Sequence, residues 1–256
     1  VDGQYRTLGE IIMTTKNKYS LTTNTRNFTL LGDPTVRLAY PKYRVATLTI
    51  NGKEASILNK DTVQALSKVS ISGMVTDVNG NKLNDFNGIV YPTVFDKTDT
   101  IRTLANDPNS KTTKFALRKN IIYKGKASVT NGDFSFEFVI PKDISYKLGN
   151  GKISYYVDNE LTDGNGAYFE FFIGGTSDSA IVDEDGPDAK LFVNDLQFSF
   201  GGLSSEDPLV IGKANDDNGI NTVGTGIGHE LTLTLDDREA IVVNDYYESE
   251  LDDYRS

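Results

Sequence analysis

Cysteine is absent from this chain, and histidine occurs once, at His229. The first absence excludes disulfides, thiolate metal sites and a cysteine nucleophile within these residues. The second leaves too few imidazoles for the usual zinc site. Long apolar runs are also missing. Apolar residues make up 38% of the chain, and no stretch approaches the ~18 consecutive apolar residues of a transmembrane helix. Val1-Asp2-Gly3-Gln4 carries neither an initiator methionine nor a signal peptide, so a processed or engineered fragment is expected. Basic residues are scarce on the C-terminal side. From Asp178 to Ser256 there are 19 acidic and 4 basic residues, against 17 and 22 in the part before it. This asymmetry places a boundary near 175–190. It also argues against nucleic acid as a partner, because phosphates need a basic face.

What is present reads as one short helix followed by many strands. Thr7 and Glu10 have capping-box spacing, and Leu8, Ile11, Ile12 and Thr15 share a helical face, so a helix is expected over 7–17. Phe28, Leu30 and Leu31 read as a short buried strand that Gly32-Asp33-Pro34 stops. From Val45 the apolar period becomes two. Asn-Gly pairs at 51–52, 79–80 and 131–132 mark tight hairpin turns. Pro92, inside "GIVYPTVFDK", suggests an edge strand or a bulge. In "GDFSFEFVIP", Phe134, Phe136, Phe138 and Ile140 form one buried face. Seven or eight strands between 44 and 175 favour an antiparallel, immunoglobulin-like β-sandwich. Four or five more follow after 185, too few to close a second one. The fold class is therefore mostly β, with a short αβ segment in front. The expected divisions are 1–43, 44–177 and 178–256, the last an incomplete β-domain.

Few residues suggest chemistry. "DEDGPD" gathers Asp183, Glu184, Asp185 and Asp188 beside a glycine. Calcium takes six to eight oxygen ligands, which makes Asp183, Asp185 and Asp188 its candidate site. The spacing of an EF-hand loop is missing, and a solvated turn explains the same residues. "NDDNGIN", with Asp216, Asp217, Asn218 and Asn221, is a weaker version of the same pattern and defaults to a loop. Gly224, Gly226 and Gly228 precede a strand rather than a helix and lack the phosphate-loop lysine. The aromatic runs around Phe136 and Phe172 could form a carbohydrate platform, although alternation assigns most of them to a core. No cofactor is expected, calcium apart.

Several stretches resemble a known family. "TLGEI" and "NFTLLGDPTVRLAYP" are similar to the end of the caspase-like domain in gingipain-type cysteine peptidases. "GKASVTNGDFSFEFVIPKDI", "FFIGGTSD", "DEDGPDAKLFVND", "NDDNGINTVGTGIGHELTLTLDD" and "VNDYYESELDDY" resemble the region behind the peptidase domain in that family's type IX secretion sortases of Bacteroidetes. The resemblance covers nearly the whole chain. It implies that residues 1–43 are the last helix and strand of a caspase-like peptidase domain. It implies a parent that is a cysteine endopeptidase and transpeptidase at the outer-membrane surface. That parent would remove C-terminal sorting domains from cargo and join the cargo to anionic lipopolysaccharide. Its catalytic Cys and His would lie upstream, and no catalytic role passes to His229. This chain would then be non-catalytic. Its partners would be the upstream peptidase domain and, through the parent, outer-membrane secretion proteins and secreted cargo. The alternative reading is an adhesin-like β-sandwich module that binds glycan or protein at the cell surface.

Overall fold

The computed structural model describes residues 5–19, 22–58, 60–177, 185–222, 230–236 and 238–256. They form two compact units, Val1–Pro41 and Lys42–Ser256.

The first unit holds helices α1 (Leu8–Tyr19) and α2 (Thr23–Asn27). The capping box forms as the spacing predicts. The Thr7 amide donates to Glu10 Oε2 at 2.8 Å, and the Glu10 amide donates to Thr7 Oγ1 at 3.2 Å. The next orphan amides of the helix start are met by the returning chain. Leu8 N donates to the Val36 carbonyl and Gly9 N to that of Pro34, at 2.8 and 2.9 Å. The expected strand at 28–31 does not form, and Phe28 and Leu31 are exposed. A strand needs a neighbour to take its backbone groups. The one bridge in this unit, among the described residues, joins Thr7 and Arg37 instead.

The second unit is mostly β. Its strands are β1 (Tyr43–Ile50), β2 (Lys53–Glu54), β3 (Thr62–Ala65), β4 (Lys68–Thr76), β5 (Gly88–Phe95), β6 (Asp99–Arg102) and β7 (Lys114–Leu117). Then come β8 (Ile121–Lys124), β9 (Ala127–Val129), β10 (Asp133–Val139), β11 (Gly149–Asn150), β12 (Lys152–Asp158), β13 (Asp163–Tyr168) and β14 (Phe172–Thr176). Two pairs follow, β15 (Asp188–Val193) with β16 (Val210–Asn215), and β17 (Thr232–Leu233) with β18 (Ile241–Val242).

The main sheet runs β10-β4-β1-β13-β12-β5-β8, with β9 also on β5. Its two ends meet. Tyr123 of β8 stacks on Phe136 and Phe138 of β10, with ring centroids 5.7 and 4.8 Å apart. The sheet therefore folds over on itself and closes one core between facing halves, a β-sandwich arrangement. The alternation in β10 holds, with Phe134, Phe136 and Phe138 buried and Ser135 and Glu137 exposed. The pairing is not wholly antiparallel as expected. β1 runs parallel to β13, and β3 to β14. Each parallel pair joins strands far apart in sequence, where no hairpin constrains direction.

Turn chemistry divides the three Asn-Gly pairs. Asn51-Gly52 and Asn131-Gly132 both have positive φ at the two positions, as a type I′ turn requires. At Asn79-Gly80 only the glycine does. Asp77 has taken over that turn. Its carboxylate accepts the amides of Asn79 and Asn81 at 2.8 and 2.9 Å and the Asn81 side chain at 2.9 Å.

Pro92 lies within the sheet and not at its edge, between β12 and the β8–β9 side. Its carbonyl accepts from Gly125, at 3.2 Å. The N–H and C=O of a strand residue point the same way, so the donor that proline lacks faces that side too. There the partner strand is broken into β8 and β9, with Gly125 and Lys126 between them.

Candidate functional site

The break opposite Pro92 opens a polar junction in the second unit. It leaves the Lys124 and Lys126 carbonyls facing outward. The C-terminal segment, residues 247–256, lies along them as a strap. Ser249 N donates to the Lys124 carbonyl and Asp252 N to that of Lys126, each at 3.0 Å, and Leu251 bridges Lys126 in parallel. Ser249 is buried, 1% exposed. The C-terminal half of the "NDYYESELDDY" stretch is thus docked.

Side chains reinforce the junction. Asp252 accepts the Ser128 amide at 2.7 Å on Oδ1 and the Ser128 hydroxyl at 2.6 Å on Oδ2. Lys126 pairs with Glu248 at 2.9 Å, and that hydrogen bond raises the lysine pKa. Lys68 pairs with Glu137 at 2.7 Å and stands 5.1 Å from the Tyr254 ring centroid. The bond to Glu137 raises its pKa as well. Burial pushes the Tyr123 phenol far above its ordinary value, so it stays protonated. The outer side of the strap holds β16: Lys213 pairs with Glu250 at 3.1 Å, and Asp216 N donates to the Arg255 carbonyl at 2.8 Å.

A groove of about 740 Å³ adjoins the strap, with Phe95, Lys119, Asn120, Lys124, Asn244 and Tyr247 among its lining. Close by, Asp96 is buried and takes the Lys97 ammonium at 2.7 Å. Arg118 lies over the exposed Phe169 ring at 5.7 Å and donates to the Asn150 carbonyl at 3.0 Å. Its Nε is buried without a hydrogen-bond partner, and desolvation lowers the guanidinium pKa. Lys152 shares the Phe169 ring, at 5.9 Å.

Of the candidate calcium ligands, Asp183 lies outside the described residues, as does Glu184. Asp188 opens β15, exposed, with its carboxylate 3.3 Å from Lys190. Asp185 precedes it in an irregular segment. Among the described residues, no three His, Asp or Glu side chains are grouped to hold a metal. "NDDNGIN" forms a turn in which Asp216 accepts the Asn218 amide at 2.8 Å, while Asn221 donates to Asp143 at 2.6 Å. His229 and the glycine run at 224–228 lie outside the described residues. The aromatic runs are mostly core, since Phe134, Phe136, Phe138 and Phe171 are buried, while Tyr168 stacks on Phe171 at 6.2 Å. Sequence reasoning missed Ser128, Lys126 and Lys68 as docking residues. The acidic pattern of the strap was the available signal, and Pro92 marked where it lands.

No family model matches the chain, and no curated protein does. Among solved structures, the chain is similar to dimeric latent PorU from Porphyromonas gingivalis. The two are 32% identical over 96% of this chain, with a TM-score of 0.55. This chain spans about a quarter, 24%, of that PorU chain. The sporulation control protein Spo0M from Bacillus subtilis matches 52% of this chain and 50% of its own, at 15% identity and a TM-score of 0.30, below the level of a shared fold.

Proposed function

We propose that this chain is the non-catalytic, C-terminal part of a PorU-like type IX secretion sortase, and that it supports the peptidase domain in front of it. The observation that carries this reading is the likeness to PorU along 96% of the chain. The first unit supports the same reading. None of its residues whose burial is described is buried, and Ile11, Met13, Phe28, Leu31, Val36 and Leu38 are all exposed. A helix with an apolar face and no core of its own needs another surface to cover it. In this reading that surface is the body of the peptidase domain, and the sandwich behind it serves as its mount.

The chemistry would reside upstream. Cysteine is absent here, so a Cys–His dyad has to come from another part of the parent. The parent's cleavage of sorting domains and transfer of cargo to anionic lipopolysaccharide belong to the same proposal, as does its place on the outer-membrane surface. Among the described residues, no helix is long and apolar enough to cross a membrane.

The test is to read the coding sequence upstream of Val1 and express the longer product. The expected result is a domain with a Cys and a His. In the longer protein, Met13 should then be slow to oxidise with peroxide, whereas in this chain alone it should react quickly. An upstream region with no such domain, or Met13 oxidising equally fast in both, overturns the reading.

A further inference from the structure

Among the described residues, β15 and β16 pair only with each other. Their register sets Ala189, Leu191 and Val193 of one beside Ala214, Gly212 and Val210 of the other, so one face of this ribbon is apolar at every position. The opposite face carries Asp188 and Lys190 beside Asn215 and Lys213. The apolar face is bare. Leu191 is 66% exposed, and Ala189 and Val210 are exposed as well. The loop that joins the two strands continues the patch. Leu196, Phe200, Leu203 and Leu209 are all exposed, Phe200 and Leu203 completely so. A two-stranded ribbon is marginal by itself, and an apolar sheet face is the surface on which a second sheet packs.

We propose that this face is one half of a sheet-on-sheet interface. Its other half is a β-layer with an apolar inner face and a basic rim, in a part of the parent polypeptide outside these 256 residues. Charge selects that partner. The loop 194–209 carries Asp195, Glu206 and Asp207, all exposed, and neither lysine nor arginine. From Asp178 to Ser256 acidic residues outnumber basic ones by 19 to 4. A second copy of this face would press that charge against itself, whereas basic side chains around the cover answer it. The parent has room for such a layer, because this chain spans only 24% of the PorU chain it matches. The inference shares with the sortase reading only the premise of a longer parent. It concerns a different unit from the helix unit and needs no peptidase.

Thiol labelling tests this, because the chain has no cysteine of its own. The experiment compares Leu191→Cys with Lys190→Cys, neighbours on opposite faces of β15, in this chain and in the full product of the natural gene. Iodoacetamide labelling at each position is read by peptide mass spectrometry. In this chain the two thiols should react within about fivefold of each other. In the full product Leu191→Cys should slow at least about a hundredfold, and Lys190→Cys by less than about fivefold. Adding Asp195→Lys, Glu206→Lys and Asp207→Lys there should return at least about tenfold of the lost rate, by repelling a basic rim. Should Leu191→Cys fail to fold in the full product, hydroxyl-radical oxidation of Leu191 and Phe200 in the two unchanged proteins decides. Protection of at least about tenfold is expected in the longer one. Equal labelling or oxidation in the two proteins overturns the proposal, as does slowing of both positions together. So does a dimer of this chain that by itself protects Leu191→Cys, and an unchanged rate in the lysine variant overturns the basic rim. A protected Leu191 beside a freely oxidised Met13 would keep this proposal and end the sortase reading.

Discussion

Ser128 gives Asp252 both its backbone amide and its hydroxyl, across 124 positions of sequence. Each carboxylate oxygen has its own donor, a geometry an amide side chain cannot copy. Asp252→Asn should therefore destabilise the chain by about 1–2 kcal/mol, as should Ser128→Ala, since hydrogen bonds to a charge are the stronger kind but these are open to solvent. The double variant should cost clearly less than the sum, because both changes remove one interaction. Urea unfolding of the four proteins checks this, and strict additivity would show that the two residues act separately.

A second pair sits inside the sandwich. The Tyr155 hydroxyl and Thr47 Oγ1 are 2.7 Å apart, and Tyr155 is only 3% exposed. Tyr155→Phe leaves the threonine without its partner and should cost about 1–2 kcal/mol. Adding Thr47→Val should recover part of that loss, since two apolar groups then face each other. A further loss of the same size from the second change would contradict this.

The two type I′ turns make a controlled comparison. Gly52 has φ +74° with nothing near its missing Cβ, whereas Gly132 has φ +79° with the Leu83 carbonyl oxygen 2.3 Å from that point. Gly52→Ala should cost only the strain of a left-handed residue, about 1 kcal/mol. Gly132→Ala adds a backbone clash and should cost at least ~1–3 kcal/mol more. Equal thermal shifts in the two variants would mean that the second turn simply opens.

The chain should lose stability at both extremes of pH. Lys126 and Lys68 have pKa values raised above 10.5 by their carboxylate partners. Their contribution is complete below the unfolded value and is lost as pH rises through the raised folded one. Asp253 is lowered from 3.8, chiefly by its hydrogen bond to Arg255, so its contribution is present above the unfolded value and is lost as pH falls. Asp77 and Glu10, lowered by their own hydrogen bonds, act in the same direction as Asp253. The urea midpoint should be level between about pH 5 and 9 and fall on either side. A midpoint that climbs above about pH 10 would reverse the sign for the lysines.

Local rules made much of the fold legible. The capping box at Thr7 and Glu10, the alternation of Phe134 to Phe138 and two Asn-Gly turns all depend on residues close in sequence. What was illegible depended on distant ones. Parallel pairing of β1 with β13 joins residues such as Tyr43 and Gly164, and no local pattern announces that. Phe28 to Leu31 had the composition of a strand, yet composition cannot supply the neighbour a strand needs. The junction at Ser128 was invisible for the same reason, since its other half comes more than a hundred residues later. The candidate cation cluster was visible as composition, but only Asp185 and Asp188 of its three aspartates fall within the described residues.

Pro92 has one more effect, on what the protein does in a crowd of its own copies. Continuous sheet edges recruit other strands and seed aggregates. By breaking its neighbour, this proline reduces that rim to pieces of four and three residues, β8 and β9. Stubs so short give a stray chain little to zip along, and the strap covers the gap between them. The same residue that prepares a landing place for one acidic segment therefore denies the rim to strands in general.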